Sequence, residues 1–372
     1  MGEPVTRGAW TPGSGPLRVG VVGCGNIVEQ YLQTLPRLPD VRLVAAADLD
    51  RSRAEAVAAR VDGARALTVD ELIADPDVDL VLNLTIPAAH DAIALAAIRA
   101  GKHVHGEKPL AAVTSAARAV LDAAAEAGLV ASCAPDTVLG TGTQTARAAI
   151  DEGLIGQPIA ATAVMLTPGH ERWHPNPDFY YQPGGGPLFD MGPYYISALV
   201  TLLGPVVSVV GAASSLRDER AIGSGSRAGE VIPVDVDTHV TGVLVHESGA
   251  LSTLVMSFDA VATRSSNIEI HGTAGSMIVP DPNHFAGDVE VNALGGDGWQ
   301  TIPPSGGYVD AGRGIALQDF VATGAAPRAS GALAFHVLDV MESFIRAAHE
   351  GRAIEVASTC DRPAPVPLTE LD

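Results

Sequence analysis

A chain that alternates short apolar runs with helical stretches, and turns on glycine after the first run, has few folds open to it. Leu17-Arg18-Val19-Gly20-Val21-Val22-Gly23 is such a run, nearly continuous as a strand buried on both faces requires. A glycine turn follows and leads into a helical pattern through Leu35. The alternation continues with strand Val41 to Ala47, helix Ala54 to Arg60, strand Val78 to Leu84 and helix Ala88 to Ala100. Strand His103 to His105, an Ala-rich helix Leu110 to Ala127 and strand Val130 to Cys133 complete the series. Strands fed by helices pair in parallel through right-handed crossovers, so the sequence predicts a doubly wound α/β domain.

The turn after the first strand is Gly23-Cys24-Gly25-Asn26-Ile27. In a Rossmann sheet this is where a dinucleotide pyrophosphate sits, because glycines let the backbone approach the phosphates. The third glycine of the usual fingerprint is replaced by Val28, so the turn alone is a weak signal. Asp48 strengthens it. It ends the second strand, 25 residues after Gly23, where a carboxylate can hold a ribose diol and repel a 2′-phosphate. That favours NAD, while Arg51 and Arg53 leave NADP open; the other reading of Asp48 is a helix cap. The third strand ends in Asn83-Leu84-Thr85-Ile86-Pro87, followed by His90. Thr85 and Pro87 are expected along the cofactor crevice, with His90 either joining them or lying on the helix surface.

Lysine is the next clue. The chain has 21 arginines and only Lys102 and Lys108, and Lys108 stands between Glu107 and Pro109 just past a buried strand. Unlike a guanidinium, an ammonium can shift its pKa and pass a proton. Together these residues point to an oxidoreductase with a nicotinamide cofactor.

At 372 residues two domains are expected. A net charge of −20 argues against nucleic acid and anionic membranes as partners. Cys24, Cys133 and Cys360 form no CxxC and are odd in number, which fits a reducing cytoplasm. Residues 1–16 read as a flexible tail and not a signal peptide, residues 17–135 as the Rossmann domain, residues 136–360 as an α+β domain and residues 361–372 as an extended tail. In the second domain the segments Ile159 to Leu166, Val206 to Ala213, Thr238 to Val245, Leu251 to Phe258, Asn267 to Gly272, Ser276 to Val279 and Val289 to Ala293 alternate as antiparallel strands do. Helices are predicted near Ile315 to Ala322 and Leu333 to Glu350.

Gly23-Cys24-Gly25-Asn26-Ile27, Thr85-x-Pro87-x-x-His90, Gly101-Lys102-His103-Val104 and Glu107-Lys108-Pro109 occur in order, at a spacing that resembles the Gfo/Idh/MocA family (glucose-fructose oxidoreductase, inositol dehydrogenase, rhizopine catabolism). The resemblance covers nearly the whole chain. It implies an N-terminal Rossmann domain, a C-terminal α+β domain with an open, largely antiparallel sheet, and C-terminal helices that pack back on the Rossmann domain. It also implies homodimers or homotetramers through that sheet, and reversible NAD(P)-dependent oxidation of a sugar, polyol, inositol or glycoside hydroxyl. Glu107 and Lys108 would then stand at the cofactor. Gly184-Gly185-Gly186 followed by Asp190-Met191-Gly192-Pro193-Tyr194 looks like the family's second catalytic segment.

Asp190 and Tyr194 are i,i+4 and share a helical face. Many members have histidine where Tyr194 stands, and tyrosine there resembles the glucose-fructose oxidoreductase and dihydrodiol dehydrogenase branch. Pro193 should kink the helix or restart it. A further departure is Pro135-Asp136-Thr137, where many members carry an arginine; Asp136 would replace its substrate contact or leave it missing.

The catalytic set expected is Lys108, Asp190 and Tyr194. Tyr194 or Lys108 takes the hydroxyl proton, a nearby ammonium favouring the phenolate, and Asp190 orients substrate or lysine. His170-Glu171-Arg172-Trp173-His174 matches a zinc-protease motif, but prolines on both sides argue against the helix that motif needs, so no metal is expected. The segment reads better as a substrate-side loop in which Trp173, His174 and Tyr180 contact a sugar ring. Two alternatives remain: an enzyme that recycles NAD while cleaving glycosides by oxidation and elimination, and a non-catalytic regulator.

Overall fold

The computed structural model describes residues 9–324 and 326–371. The described residues fall into two compact units. One lies within Met1–Leu139, Tyr308–Phe335 and Thr369–Asp372, the other within Gly140–Gly307 and His336–Leu368.

The first unit is built on strands β1 (Leu17–Val22), β2 (Val41–Ala47), β3 (Arg65–Leu67), β4 (Leu80–Asn83), β5 (His103–Gly106) and β6 (Ala131–Cys133). They form one parallel sheet in the order β3-β2-β1-β4-β5-β6. Helices α1 (Val28–Thr34), α2 (Arg51–Ala58), α3 (Val69–Ala74), α4 (His90–Arg99) and α5 (Thr114–Glu126) make the crossovers. Val22, Val81, Val104 and Ala131 of the sheet pack with Ala97 of α4 and Val120 of α5, leaving apolar atoms away from water on both sheet faces.

The strand order reverses beside β1. A crevice opens at such a switch point beyond the carboxyl ends of the strands, which is where Gly23 and Thr85 lie. Lys102 supports this sheet from within. Its buried ammonium donates to the carbonyls of Asp75 (2.6 Å) and Val78 (2.7 Å), fixing the turn that enters β4.

The chain then passes to the second unit through α6 (Thr141–Asp151), β7 (Pro158–Leu166) and α7 (Gly186–Leu203). There follow β8 (Val206–Ser214), β9 (Glu219–Ala221), β10 (Val231–Pro233), β11 (His239–His246), β12 (Leu251–Ser257), β13 (Ile268–Gly272), β14 (Gly275–Val279), β15 (Val289–Ala293) and β16 (Gln300–Ile302). Helix α8 (Ile315–Thr323) belongs to the first unit, α9 (Gly331–Glu350) begins there and ends in the second, and β17 (Ile354–Glu355) closes the series.

The second sheet runs β16-β15-β14-β13-β7-β12-β11-β8-β17 and is antiparallel except where β7 and β12 pair in parallel. Strands β9 and β10 form a separate antiparallel ribbon. Helix α7 is almost wholly apolar because it is buried nearly all round, and it runs unbroken through Pro193. The helix break that Pro193 suggested is therefore absent; only one backbone donor is lost there, at the second turn.

Of the expected N-terminal tail, residues 1–8 lie outside the described residues. Beyond them the chain is anchored: Trp10 is buried, its ring 5.3 Å from that of Phe320, and its carbonyl meets His103 Nε2 at 3.0 Å. In the other terminal segment Pro367 bridges to Gly306 and Thr369 to Tyr308. No helix of the described residues is long and apolar enough to cross a membrane.

Candidate active site

The residues expected at the cofactor lie in the first unit. Gly23 has a left-handed backbone (φ +98°), and a Cβ there would come within 2.6 Å of Leu84 C and O, so only glycine lets the turn sit against β4. Gly25 has nothing within 4 Å of where a Cβ would stand, leaving open space above the turn. Asn26 is exposed and Ile27 half-buried in the bend that enters α1. Asp48 ties this turn to β2: Oδ2 accepts from Cys24 N (2.7 Å) and Oδ1 from Asp50 N (2.9 Å). The helix cap is Asp50, which accepts from Ser52 N, so capping is not the role of Asp48. Arg51 and Arg53 pair within α2, with Glu55 (3.1 Å) and Asp50 (3.5 Å).

Thr85 and Pro87 stand after β4, Thr85 Oγ1 donating to Asn83 Oδ1 (2.6 Å) and Pro87 exposed. His90 is not a helix-surface residue. It is buried, with Nε2 3.0 Å from the Thr85 carbonyl and Nδ1 2.6 Å from the Pro109 carbonyl. Both polar atoms of the ring are turned onto the chain, so His90 clamps the Thr85 loop to the Lys108-Pro109 turn and offers a ligand no ring nitrogen.

Glu107 behaves similarly: Oε1 accepts from the Tyr31 hydroxyl (2.8 Å) and Oε2 from Lys108 N (3.1 Å). Burial pushes the Tyr31 phenol well above its ordinary range, so it remains a donor to that carboxylate. The half-buried Lys108 is thus carried on a turn held by Glu107 from one side and His90 from the other. The Lys108-Pro109 and Ala134-Pro135 peptide bonds are cis.

Asp136 does not replace a substrate arginine. It is fully buried, and Oδ2 accepts from Gly314 N (2.8 Å) and Ala316 N (3.3 Å), capping α8 across the sequence. Burial, partly offset by Arg313, lifts its carboxyl to about 6.

The second unit carries the remaining residues. Asp190 lies in the first turns of α7, whose N-cap is Gly185, so Asp190 is not a cap. Tyr194 follows one turn later and is buried. Gly185 is a close-packing glycine: a Cβ there would lie 2.7 Å from the Tyr180 carbonyl oxygen and against that of Phe179. This is how the Gly184-Gly186 turn lays the loop before it along the start of α7.

That loop is not a helix through both histidines; residues His170–Arg172 make a single 3-10 turn. Glu171 is buried and accepts from the Tyr181 hydroxyl and from Arg220 Nη1 (3.3 Å), so it anchors the loop. Trp173, His174 and Tyr180 do come together. The His174 ring is 5.4 Å from Trp173 and 5.5 Å from Tyr180, with Phe179 4.0 Å from Tyr180. Trp173 and Phe179 are 58% and 54% exposed, an aromatic face open to a ligand.

Sequence reasoning passed over one residue here. His170 Nε2 lies 3.0 Å from Asp190 Oδ2, and it entered the sequence reading only as half of the discarded zinc motif.

Comparison with known proteins agrees with this architecture. Residues 17–134 match the oxidoreductase family with an NAD-binding Rossmann fold, and residues 143–278 match the GFO/IDH/MocA C-terminal domain. A 1,5-anhydro-D-fructose reductase of Ensifer adhaerens is 32% identical over 267 residues, covering 70% of this chain and 75% of the relative. A myo-inositol 2-dehydrogenase of Thermotoga maritima is 28% identical over 262 residues, covering 70% and 74%. The apo structure of a levoglucosan dehydrogenase superposes with a TM-score of 0.78 at 23% identity, over 93% of this chain and all of that one. With the glycine turn, the Glu-Lys-Pro turn and the Asp190 helix in place, the chain belongs to the Gfo/Idh/MocA family of NAD-binding oxidoreductases.

Proposed function

We propose that the chain oxidises a secondary hydroxyl of a sugar, polyol, inositol or glycoside ring with NAD, and reduces the matching carbonyl in reverse. The observation that carries the substrate class is the aromatic face of Trp173, Phe179 and Tyr180 beside Asp190. Pyranose and cyclitol rings bury C–H faces on such side chains while a carboxylate takes their hydroxyls.

The first unit fits NAD. Gly23 and Gly25 leave the backbone open to a pyrophosphate, and the Asp48 carboxylate suits a ribose diol. The nearest arginines, already paired on α2, are not set out for a 2′-phosphate. The turn Gly23–Ile27, Asp48, Thr85 and Pro87 would hold the cofactor, and its nicotinamide, when bound, supplies the hydride acceptor.

The chain's own residues handle the proton and the orientation. Lys108 and Tyr194 are the two acceptors for the hydroxyl proton, and Asp190 fixes the ring through its hydroxyls. Glu107 and His90 keep the Lys108 turn in place.

We further assign the protein to a reducing cytoplasm, since Cys24, Cys133 and Cys360 are all free. A homo-oligomer is assigned through the outer face of the second sheet. Val210 and Leu251 are each 48% exposed there, amid the small side chains that a second copy can cover.

The test is reduction of NAD and, separately, NADP by purified protein across levoglucosan, myo-inositol, further sugars and glycosides, with 1,5-anhydro-D-fructose and NADH for the reverse direction. Near-ultraviolet absorbance reads the turnover. Reduction by one compound, lost in Lys108→Ala, is the expected result. A protein that binds NADH but turns over nothing on the panel would overturn the assignment.

A further inference from the structure

We propose that His170 and Asp190 act as one acid–base pair, the 170s loop supplying the imidazole that α7 lacks at Tyr194. This rests on the reading of Asp190 and Tyr194 as the groups that serve hydroxyl oxidation.

The geometry is specific. His170 Nε2 and Asp190 Oδ2 are 3.0 Å apart, with side chains 12% and 16% exposed, so the pair is screened far less than a surface ion pair. The imidazole is fixed by rings on several sides: Phe258 at 4.4 Å, Tyr180 at 4.7 Å and Trp173 at 5.2 Å. Glu171, next in sequence, is locked by Tyr181 and Arg220, and Arg220 also holds the Phe258 carbonyl (3.1 Å). One buried network therefore anchors both the histidine and the ring it rests on.

His170 also differs from the other buried histidines of this unit. His246 has Nδ1 on the Gly204 carbonyl and Nε2 on Ser252; His336 has Nε2 on Val206 N and Nδ1 on Ser358. Their two nitrogens are satisfied, as structural histidines require. In His170 one nitrogen faces a carboxylate, while Nδ1 is buried with no hydrogen-bond partner among the described residues. A buried polar atom left without a partner costs about 1–3 kcal/mol, a cost that the structural histidines of this unit avoid and His170 does not.

The ionisable groups around the ring are Asp190 from α7, Tyr180 from the turn before it, and His174 from the same loop. His174 adds no positive charge in competition. Its Nδ1 accepts from Asn176 N (3.1 Å), and burial holds its pKa below the usual imidazole value. The Arg220 guanidinium is directed to Glu171 and Asp259.

The step balances simply. Oxidation of the hydroxyl breaks its O–H bond, the bonding pair goes into the new C=O, and the C–H pair leaves as the hydride that the cofactor accepts. Tyr194, one turn from Asp190 on α7, takes the hydroxyl proton first; the pair then receives that proton, passing from a net charge of −1 to 0, and returns it to water after product leaves.

Two measurements test the pair. The first follows the His170 ring by 1H–15N NMR at fixed pH, assigned by its loss in His170→Gln, in the wild-type protein and in Asp190→Asn. The Nε2 proton held by the carboxylate in the wild type is expected to move upfield and to exchange faster with water when the carboxylate is removed. Unchanged ring signals overturn the proposal without reference to any substrate. The second compares His170→Gln, checked for native fold by near-ultraviolet circular dichroism, with wild type on the panel compound that reduces NAD. A loss of kcat of roughly 10²-fold, with KM moving little and the acid limb of the pH profile gone, supports the proposal. Wild-type kcat across the pH range overturns it. If no panel compound is oxidised, the assigned activity fails and the NMR arm alone decides the pair.

Discussion

The Asp48 carboxylate has two partners, Cys24 N and Asp50 N, and so is held at the tip of β2, where the proposed ribose diol would meet it. Replacing it by asparagine keeps the shape and removes the charge that repels a 2′-phosphate. The NAD over NADP preference in kcat/KM should fall about tenfold or more in Asp48→Asn, each tenfold corresponding to about 1.4 kcal/mol. Tyr194→Phe keeps the packing of a buried ring and removes only its hydroxyl. It should lower kcat by roughly 10²- to 10⁴-fold while NADH binding, read by fluorescence, stays unchanged. At this scale the sequence was legible where the backbone alone fixes the residue, as at Gly23, whose left-handed turn ends the first strand. His170 escaped it because its contact with Asp190 spans twenty positions and needs the Gly185 turn to exist. His90 and Glu107 were expected at the cofactor, and their partners within the chain, two carbonyls and Tyr31, could not be read from spacing.

Several elements long enough to show their period were read nearly to the residue: β2, α4, α9 and strands β7, β8 and β11 to β15 of the second sheet; helix α6 was not read. The short ones, α3, β3, β9, β10, β16 and β17, were not, since a few residues carry no period and are held by tertiary pairing. Two junctions between elements invite direct tests. At the entry to α7, Gly185→Ala would push a Cβ onto the backbone of Phe179 and Tyr180. The aromatic loop must shift, so KM for the carbohydrate should rise roughly tenfold with little change in NADH affinity. At the entry to α8, Asp136→Ala would strip the acceptor from Gly314 N and Ala316 N in a dry environment. The expected cost is about 2 kcal/mol, read as a lowered Tm in calorimetry. A substitution with no effect on Tm would mean that α8 is not held by this carboxylate.

For the whole molecule, acid stability is set by opposing groups. Burial lowers the pKa of both His105 and His336 to about 4, so each is neutral when folded and protonates near its ordinary value when unfolded. The unfolded chain then binds more protons, and stability falls as pH drops from 6.5 towards 4, by at most about 1.4 kcal/mol per pH unit and group. Asp136 works the other way. Its pKa of about 6 exceeds the unfolded value of 3.8, so its burial penalty is relieved as pH falls through that window. His105 and Asp136 share the first unit and partly cancel; His336 lies in the second. His336→Gln should therefore flatten the fall of Tm between pH 6.5 and 4.5, and an unchanged slope would refute this account. One further property follows from the buried ammonium of Lys102. Buried and donating to two backbone carbonyls, it is closed to acylating reagents in the native state. Among the lysine side chains, amine-directed chemistry on the folded protein is thus confined to Lys108. A label or tether coupled through a lysine side chain is thereby directed to the Glu107-Lys108-Pro109 turn, and if Lys108 has the role proposed for it, a resin that couples in this way would silence the enzyme it holds.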